Sequence, residues 1–180
     1  MTLKSWLRLI LTGGMMAMFG LGCATRPPPT VEYVDLDRFM GDWYVLGGKF
    51  TALERGVHNG VERYELNEDG SIATTFTFRQ GGFDGRERVM RPKGFVYNRE
   101  TNAEWRMQFL WPFRAAFLIV YLDEDYQHTA IGVPNRKYLW IMGRSPEVDE
   151  EVYARIVEAM VGVGYTTNGM VRVPHRWDDN

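Results

Sequence analysis

The residue types that most often carry chemistry are thinly spread along this chain of 180 residues. His58, His128 and His175 stand far apart, with no ligand pair at the spacing of a metal-binding helix, and read as surface or loop histidines. Cys23 is the single cysteine, which excludes an internal disulfide and a cysteine-based zinc cage. Asp123-Glu124-Asp125 lacks the glycine and terminal glutamate of a calcium loop and reads as a solvated turn. Gly162-Val163-Gly164 follows a helical stretch instead of opening one, so it is no dinucleotide-binding fingerprint. No serine sits in a Gly-x-Ser-x-Gly elbow. Glu62, Glu65 and Glu104 lie in strand-like segments, and general-base chemistry would need one of them turned inward, within hydrogen-bond reach of a substrate. No catalytic set, metal site or cofactor site is evident.

Aromatic residues are the richer signal. They make up 14% of the chain, with six Trp, nine Tyr and ten Phe, which suits a β-rich fold or an aromatic-lined pocket. The length fits one domain, and 45% apolar residues is ordinary for a folded one. Basic and acidic residues number 21 and 23, a balance with no electrostatic footprint for nucleic acid.

The elements that must position these aromatics are short and regular. Period-2 segments run from Trp43 to Phe50 and from Gly60 to Leu66, and Asn67-Glu68-Asp69-Gly70 is a tight-turn signal. Ile72, Thr74, Phe76 and Phe78 then share one strand face. After a turn at Gly81–Gly85, a strand from Arg86 to Tyr97 is bent at Pro92-Lys93-Gly94. Trp105, Met107 and Phe109 alternate with Arg106 and Gln108. Ala116–Leu122, Tyr126–Val133 and Tyr138–Arg144 complete eight strands, separated by Asp123-Glu124-Asp125 and Pro134-Asn135-Arg136. Such spacing indicates a sandwich or an up-and-down barrel. Ser145 then caps a helix with Pro146 at its first position. Val148, Val152, Ile156 and Met160 form its apolar stripe, which must be buried against the outside of the sheet. Met170–Val173 adds a short final strand.

At the N-terminus, Lys4 and Arg8 precede an uncharged apolar run, Leu9–Gly22. The run is shorter than the roughly 20 residues of a membrane span and suits a secretory signal. Its end, Phe19-Gly20-Leu21-Gly22-Cys23, resembles the lipobox of bacterial lipoproteins, with Gly20 in place of the usual leucine. The resemblance implies a leader over residues 1–22, cleavage, and acyl chains on Cys23 that anchor the protein stably. Ala24, in place of the aspartate that retains such proteins at the inner membrane, points to the outer membrane, where the anchored protein is expected on the periplasmic face. Cleavage leaves 19 basic against 23 acidic residues. Residues 23–30 read as a lipidated, proline-rich tether reaching about 25 Å, and residues 31–180 as the folded domain.

Gly41-Asp42-Trp43-Tyr44, Asp123-Glu124-Asp125-Tyr126 and Arg144 fall, in order, where the lipocalins carry their three motifs. Val34–Met40 and Arg136–Pro146 further resemble the bacterial lipocalin lipoproteins, relatives of apolipoprotein D and the plant temperature-induced lipocalins. The resemblance covers roughly residues 31–173. It implies an all-β, eight-stranded antiparallel up-and-down barrel, closed at one end, with a C-terminal amphipathic helix outside and room for one small apolar ligand. Gly41, Trp43, Asp123, Tyr126 and Arg144 would be structural, with the Arg144 guanidinium across the Trp43 ring in a cation–π contact.

If Arg144 reaches Trp43 inside the barrel base, period 2 points Met142, Trp140 and Tyr138 into the cavity above it; the alternative turns Trp140 toward the helix. Phe76, Phe78, Trp105, Met107 and Phe109 are either cavity lining or ordinary core. On Ala116–Leu122 both faces are apolar, so Phe117, Ile119 and Tyr121 compete with Leu118, Val120 and Leu122 for the interior. Trp111-Pro112-Phe113 is an apolar tip that caps the mouth or meets a partner or membrane. The favoured function is carriage of a fatty acid or lysophospholipid at the outer membrane, with envelope maintenance implied by resemblance. Ten buried methylenes would yield about 8 kcal/mol before association costs. The alternative is a hydrolase or isomerase acting on a bound lipid. Homodimerisation is carried only by the resemblance.

Overall fold

The computed structural model describes residues 26–177. The leader expected over residues 1–22 and the expected lipid anchor Cys23 lie outside the described residues. A short helix, α1 (Leu36–Phe39), leads into β1 (Gly41–Lys49), and a 3-10 turn at Ala52–Glu54 separates β1 from β2 (Val57–Leu66). There follow β3 (Ser71–Gln80), β4 (Arg86–Met90), β5 (Lys93–Asn98), β6 (Glu104–Leu110), β7 (Phe113–Leu122), β8 (His128–Gly132) and β9 (Leu139–Gly143). Helix α2 (Glu150–Gly162) and β10 (Val171–Arg172) end the sequence of elements. Among the described residues no helix is long and apolar enough to cross a membrane.

β4 and β5 both pair with β3 and form one barrel strand, interrupted at Arg91-Pro92. Proline brings no N–H to a ladder, so the break falls where a proline-bent strand is expected. Counted that way, eight antiparallel strands close into a barrel through the β1–β9 pair, with α2 packed outside. The closing seam needs Gly48. A β-carbon there would stand 2.0 Å from the Leu139 carbonyl oxygen, and its φ of 152° disfavours other side chains.

Each strand's alternation sorts interior from exterior. On β9, Leu139 and Ile141 face α2, while Trp140 and Met142 face into the barrel. β7 is settled by a bulge. Phe117 and Ile119 point inward and Leu118 and Val120 outward, but a register shift between Ile119 and Tyr121 then reverses the parity. Tyr121 joins the helix side and Leu122 the barrel side, because an extra residue in a strand flips everything after it.

Two local expectations are corrected. The helix starts at Glu150 with Asp149 at its N-cap, not at Ser145-Pro146. The Ser145 hydroxyl instead accepts the Glu147 N–H, closing a local turn two residues on. Ile156 and Met160 are the buried centre of the stripe, flanked by Val152, Tyr153 and Val157. The proline-rich segment is not a free spacer from Arg26 onward. Pro28 is buried, Arg136 Nη1 donates to the Arg26 carbonyl at 2.7 Å, and Val31 N–H donates to Ile119 O at 2.9 Å. Proline-rich chain loses little entropy on ordering, which favours such docking.

Candidate functional site

The barrel's two ends differ in chemistry. At the closed end, α1 carries Phe39 under the barrel, held by the Asp35 side chain accepting Arg38 N–H at 3.2 Å. Phe39 meets Trp43 (ring centroids 5.0 Å), Tyr64 (5.7 Å) and Trp105 (5.4 Å). The Arg144 guanidinium carbon sits 3.8 Å from the centre of the Trp43 ring. Its nitrogens donate to the carbonyls of Asp42 (2.8 Å), Arg38 (2.7 Å) and Phe39 (3.1 Å). Burial pulls the Arg144 pKa down, a cost opposed chiefly by nearby Asp42. Gly41, with φ 94°, leaves space in front of Arg144 Nη1. Asp123 is less solvated than expected: its carboxylate accepts from the Gln127 and His128 N–H groups, and His128 Nδ1 lies 2.8 Å away. It holds the turn in which Tyr126 takes a positive φ and receives the Asp35 N–H on its hydroxyl. These groups form a plug.

Above the plug lies a cavity of about 560 Å³, within the range of small-molecule sites. Trp140, Tyr138, Phe76, Met107 and Phe109 line it, with Leu53, Thr74, Met90, Phe117 and Ile131. Phe78, Trp105 and Met142 do not. Trp105 is covered by Phe117, whose ring stacks on it at 5.0 Å and 7°, so Phe117 takes the wall position. Phe78 stacks on Phe76 at 4.9 Å and is left as core. Met142 lies two residues beyond Trp140 toward the closed end and is fully buried. The two sets share strand faces: Trp105 and Met142 lie deeper than their lining neighbours Met107 and Trp140, whereas Phe78 lies on the mouth side of Phe76 and is packed behind it.

Two acids enter the wall, Glu54 buried and Glu62 half-buried. Glu54, from the 3-10 turn at the mouth, accepts Trp140 Nε1–H at 2.8 Å, Thr51 Oγ1–H at 2.6 Å and Thr51 N–H at 3.0 Å. Glu62 faces inward from β2, and the Tyr64 hydroxyl donates to it. Glu62 is one of the residues that line the cavity. Burial, reinforced by the charge of Glu54, pushes the Glu62 pKa up to about 7, against the opposing bond from Tyr64. Glu65 is exposed, and Glu104 is paired with Arg106 at 2.6 Å. The inward turn of Glu62 was open in the sequence; Glu54, in an irregular loop, had no periodic signal.

A raised carboxyl pKa makes folding pH-dependent. Below the ordinary value of 4.5 Glu62 is protonated folded or unfolded; between 4.5 and about 7 only the folded chain holds the proton, and above 7 folding bears the full penalty. This group therefore lowers stability as pH rises through that window. Unfolding midpoints of the ligand-free protein across the window should fall more steeply than those of Glu62→Gln, and parallel curves would refute the assignment.

Residues 34–175 match the lipocalin-like domain family. The chain belongs to that family. This lipocalin is 26% identical over 163 residues to the outer membrane lipoprotein Blc of Citrobacter freundii, covering 87% of this chain and 90% of that one. It is 30% identical over 158 residues to temperature-induced lipocalin-1 of Arabidopsis thaliana, covering 80% and 81%. The structure of insecticyanin from the tobacco hornworm Manduca sexta aligns with a TM-score of 0.64 at 14% identity, over 84% of this lipocalin and 85% of insecticyanin, a likeness of fold.

Proposed function

We propose that this lipocalin binds and carries a single-chain lipid, a fatty acid or a lysophospholipid, at the periplasmic face of the outer membrane, tethered by acyl chains on Cys23. The observation that carries this reading is the meeting of three features at one end of the barrel: the cavity mouth, an exposed apolar rim, and the N-terminal end of the described chain. Leu53, Phe109, Leu110, Trp111 and Phe113 stand at that end, exposed from 62% at Phe109 to 80% at Trp111. An apolar cluster of this kind marks a docking surface, and tryptophan is favoured at the membrane interface. Arg26 is bound to Arg136 in the β8–β9 loop, beside mouth residues Val133, Pro134 and Asn135. Cys23 is three residues upstream, and three residues span at most about 10 Å. An anchor so close holds the mouth against lipid, where a chain passes between bilayer and cavity with little exposure to water.

The outer membrane is carried over from Blc of Citrobacter freundii, named an outer membrane lipoprotein. The cavity wall, mostly apolar, suits carriage. For the test, the mature chain with Cys23→Ser is delipidated and titrated with lysophospholipid and with fatty acid. Saturable tryptophan quenching at micromolar lipid is expected, with the lipid recovered unchanged by mass spectrometry. Absence of quenching by both would overturn the reading, and turnover of the lipid would replace it with catalysis.

A further inference from the structure

The inner part of the cavity wall holds polar groups that an acyl chain leaves without partners. In the β2–β3 ladder Glu62 pairs with Phe76 and Tyr64 with Thr74, so four inward-facing side chains form one continuous patch. The Tyr64 hydroxyl occupies Glu62 Oε2, and among the described residues no donor meets Oε1. Thr74 is 3% exposed, lines the cavity, and its hydroxyl oxygen is buried without a hydrogen-bond partner. A buried, unsatisfied hydroxyl is destabilising and calls for a partner. The wall residues include no Lys, Arg or His, while Glu54 adds a second carboxylate. A ligand carboxylate brought to this patch finds two acids and no cation.

We propose that Glu62 and Thr74 form a subsite for the hydroxyl or amine end of a single-chain lipid that enters the barrel polar end first. The proposal rests on the reading that the cavity holds a single-chain lipid, and it adds a further head-group class to the fatty acid and lysophospholipid named there. Fatty-acid anions and lysophospholipids can enter only by the chain end, which leaves Glu62 Oε1 and the Thr74 hydroxyl facing methylenes. A long-chain alcohol or amine satisfies both. The titratable and charged groups around Glu62 are Tyr64 on its own strand, Glu54 from the mouth turn, and Arg144, whose charge reaches Tyr64 from the closed end. Above about pH 7 the subsite presents a carboxylate to an ammonium group; below it, a neutral acid.

The test compares dodecylamine, dodecanol and dodecanoate on the delipidated Cys23→Ser protein. At about pH 8.5 the amine should bind roughly tenfold or more tighter than dodecanoate, with the advantage shrinking at about pH 5.5. Glu62→Gln should abolish both the preference and its pH dependence. Thr74→Val, which keeps the branched shape, should weaken dodecanol binding relative to dodecanoate binding. Unfolding midpoints confirm that each variant is folded. Equal binding of amine and dodecanoate, or a preference that survives in Glu62→Gln, overturns the subsite while lipid carriage stands. Failure of all three and of lysophospholipid to bind overturns both.

Discussion

Trp43→Ala is expected to lower the unfolding free energy by about 3–5 kcal/mol, the range for truncating a fully buried large aromatic. The indole is completely buried, its ring centroid 5.0 Å from that of Phe39, and its Nε1–H donates to the Phe39 carbonyl at 2.8 Å. That carbonyl keeps a second donor in Arg144 Nη2, so the backbone is not orphaned. The larger loss is under Arg144. Its guanidinium already bears a desolvation cost, and without the indole it loses the face over which it lies at 3.8 Å. Solvent must then enter the plug or Arg144 must move, and its bonds to Asp42 and Arg38 join β1, β9 and α1. Trp43→Phe should recover part of the loss by refilling the volume without the indole N–H. Denaturant midpoints with unchanged slope would show stability itself falling. A loss below about 1 kcal/mol for Trp43→Ala would mean the plug is not a stabilising unit.

What the sequence made legible was whatever depends on alternation. A strand with an unbroken period sends every second side chain to the same face, so Arg144 over Trp43 places Met142, Trp140 and Tyr138 together. The three differ in depth, which period 2 does not encode: Met142 falls into the plug while Trp140 and Tyr138 reach the cavity. The same limit separates Trp105 from Met107, two residues apart on one face. β7 was illegible for another reason: both faces are apolar, and the bulge near Val120 exchanges them part-way along. Helix α1 is a single turn, too short for periodicity to announce. The docking of Arg26–Val31 depends on Arg136 and Ile119, far away in sequence. Glu62 is the instructive case. An inward carboxyl reads as polar in the alternation, and only the Tyr64 hydroxyl and the enclosed cavity explain its burial.

Trp140→Ala should leave the ligand-free barrel folded but weaken lipid binding by roughly tenfold or more, about 1.4 kcal/mol or greater. Two contributions add. The indole forms part of the cavity wall, so its removal takes contact area from any bound chain. Its Nε1–H also holds Glu54, which ties the 3-10 turn at Ala52–Glu54 to the wall. Without that bond Glu54 retains only the two donors of Thr51, within its own loop, and the turn is freed from β9. Exposed Leu53 belongs to this turn, so the mouth should open more readily and lipid should leave faster. Trp140→Phe separates the effects: it keeps most of the apolar wall and loses only the hydrogen bond. If wall contact dominates, Phe restores most of the affinity with a near-normal dissociation rate. If Glu54 anchoring dominates, Phe resembles Ala, and dissociation stays fast. An affinity unchanged in both variants would place the lipid outside this cavity. Stopped-flow displacement of a fluorescent lysophospholipid measures both quantities on the same sample, and the unfolding midpoint without lipid shows whether the loss lies in the site or in the fold.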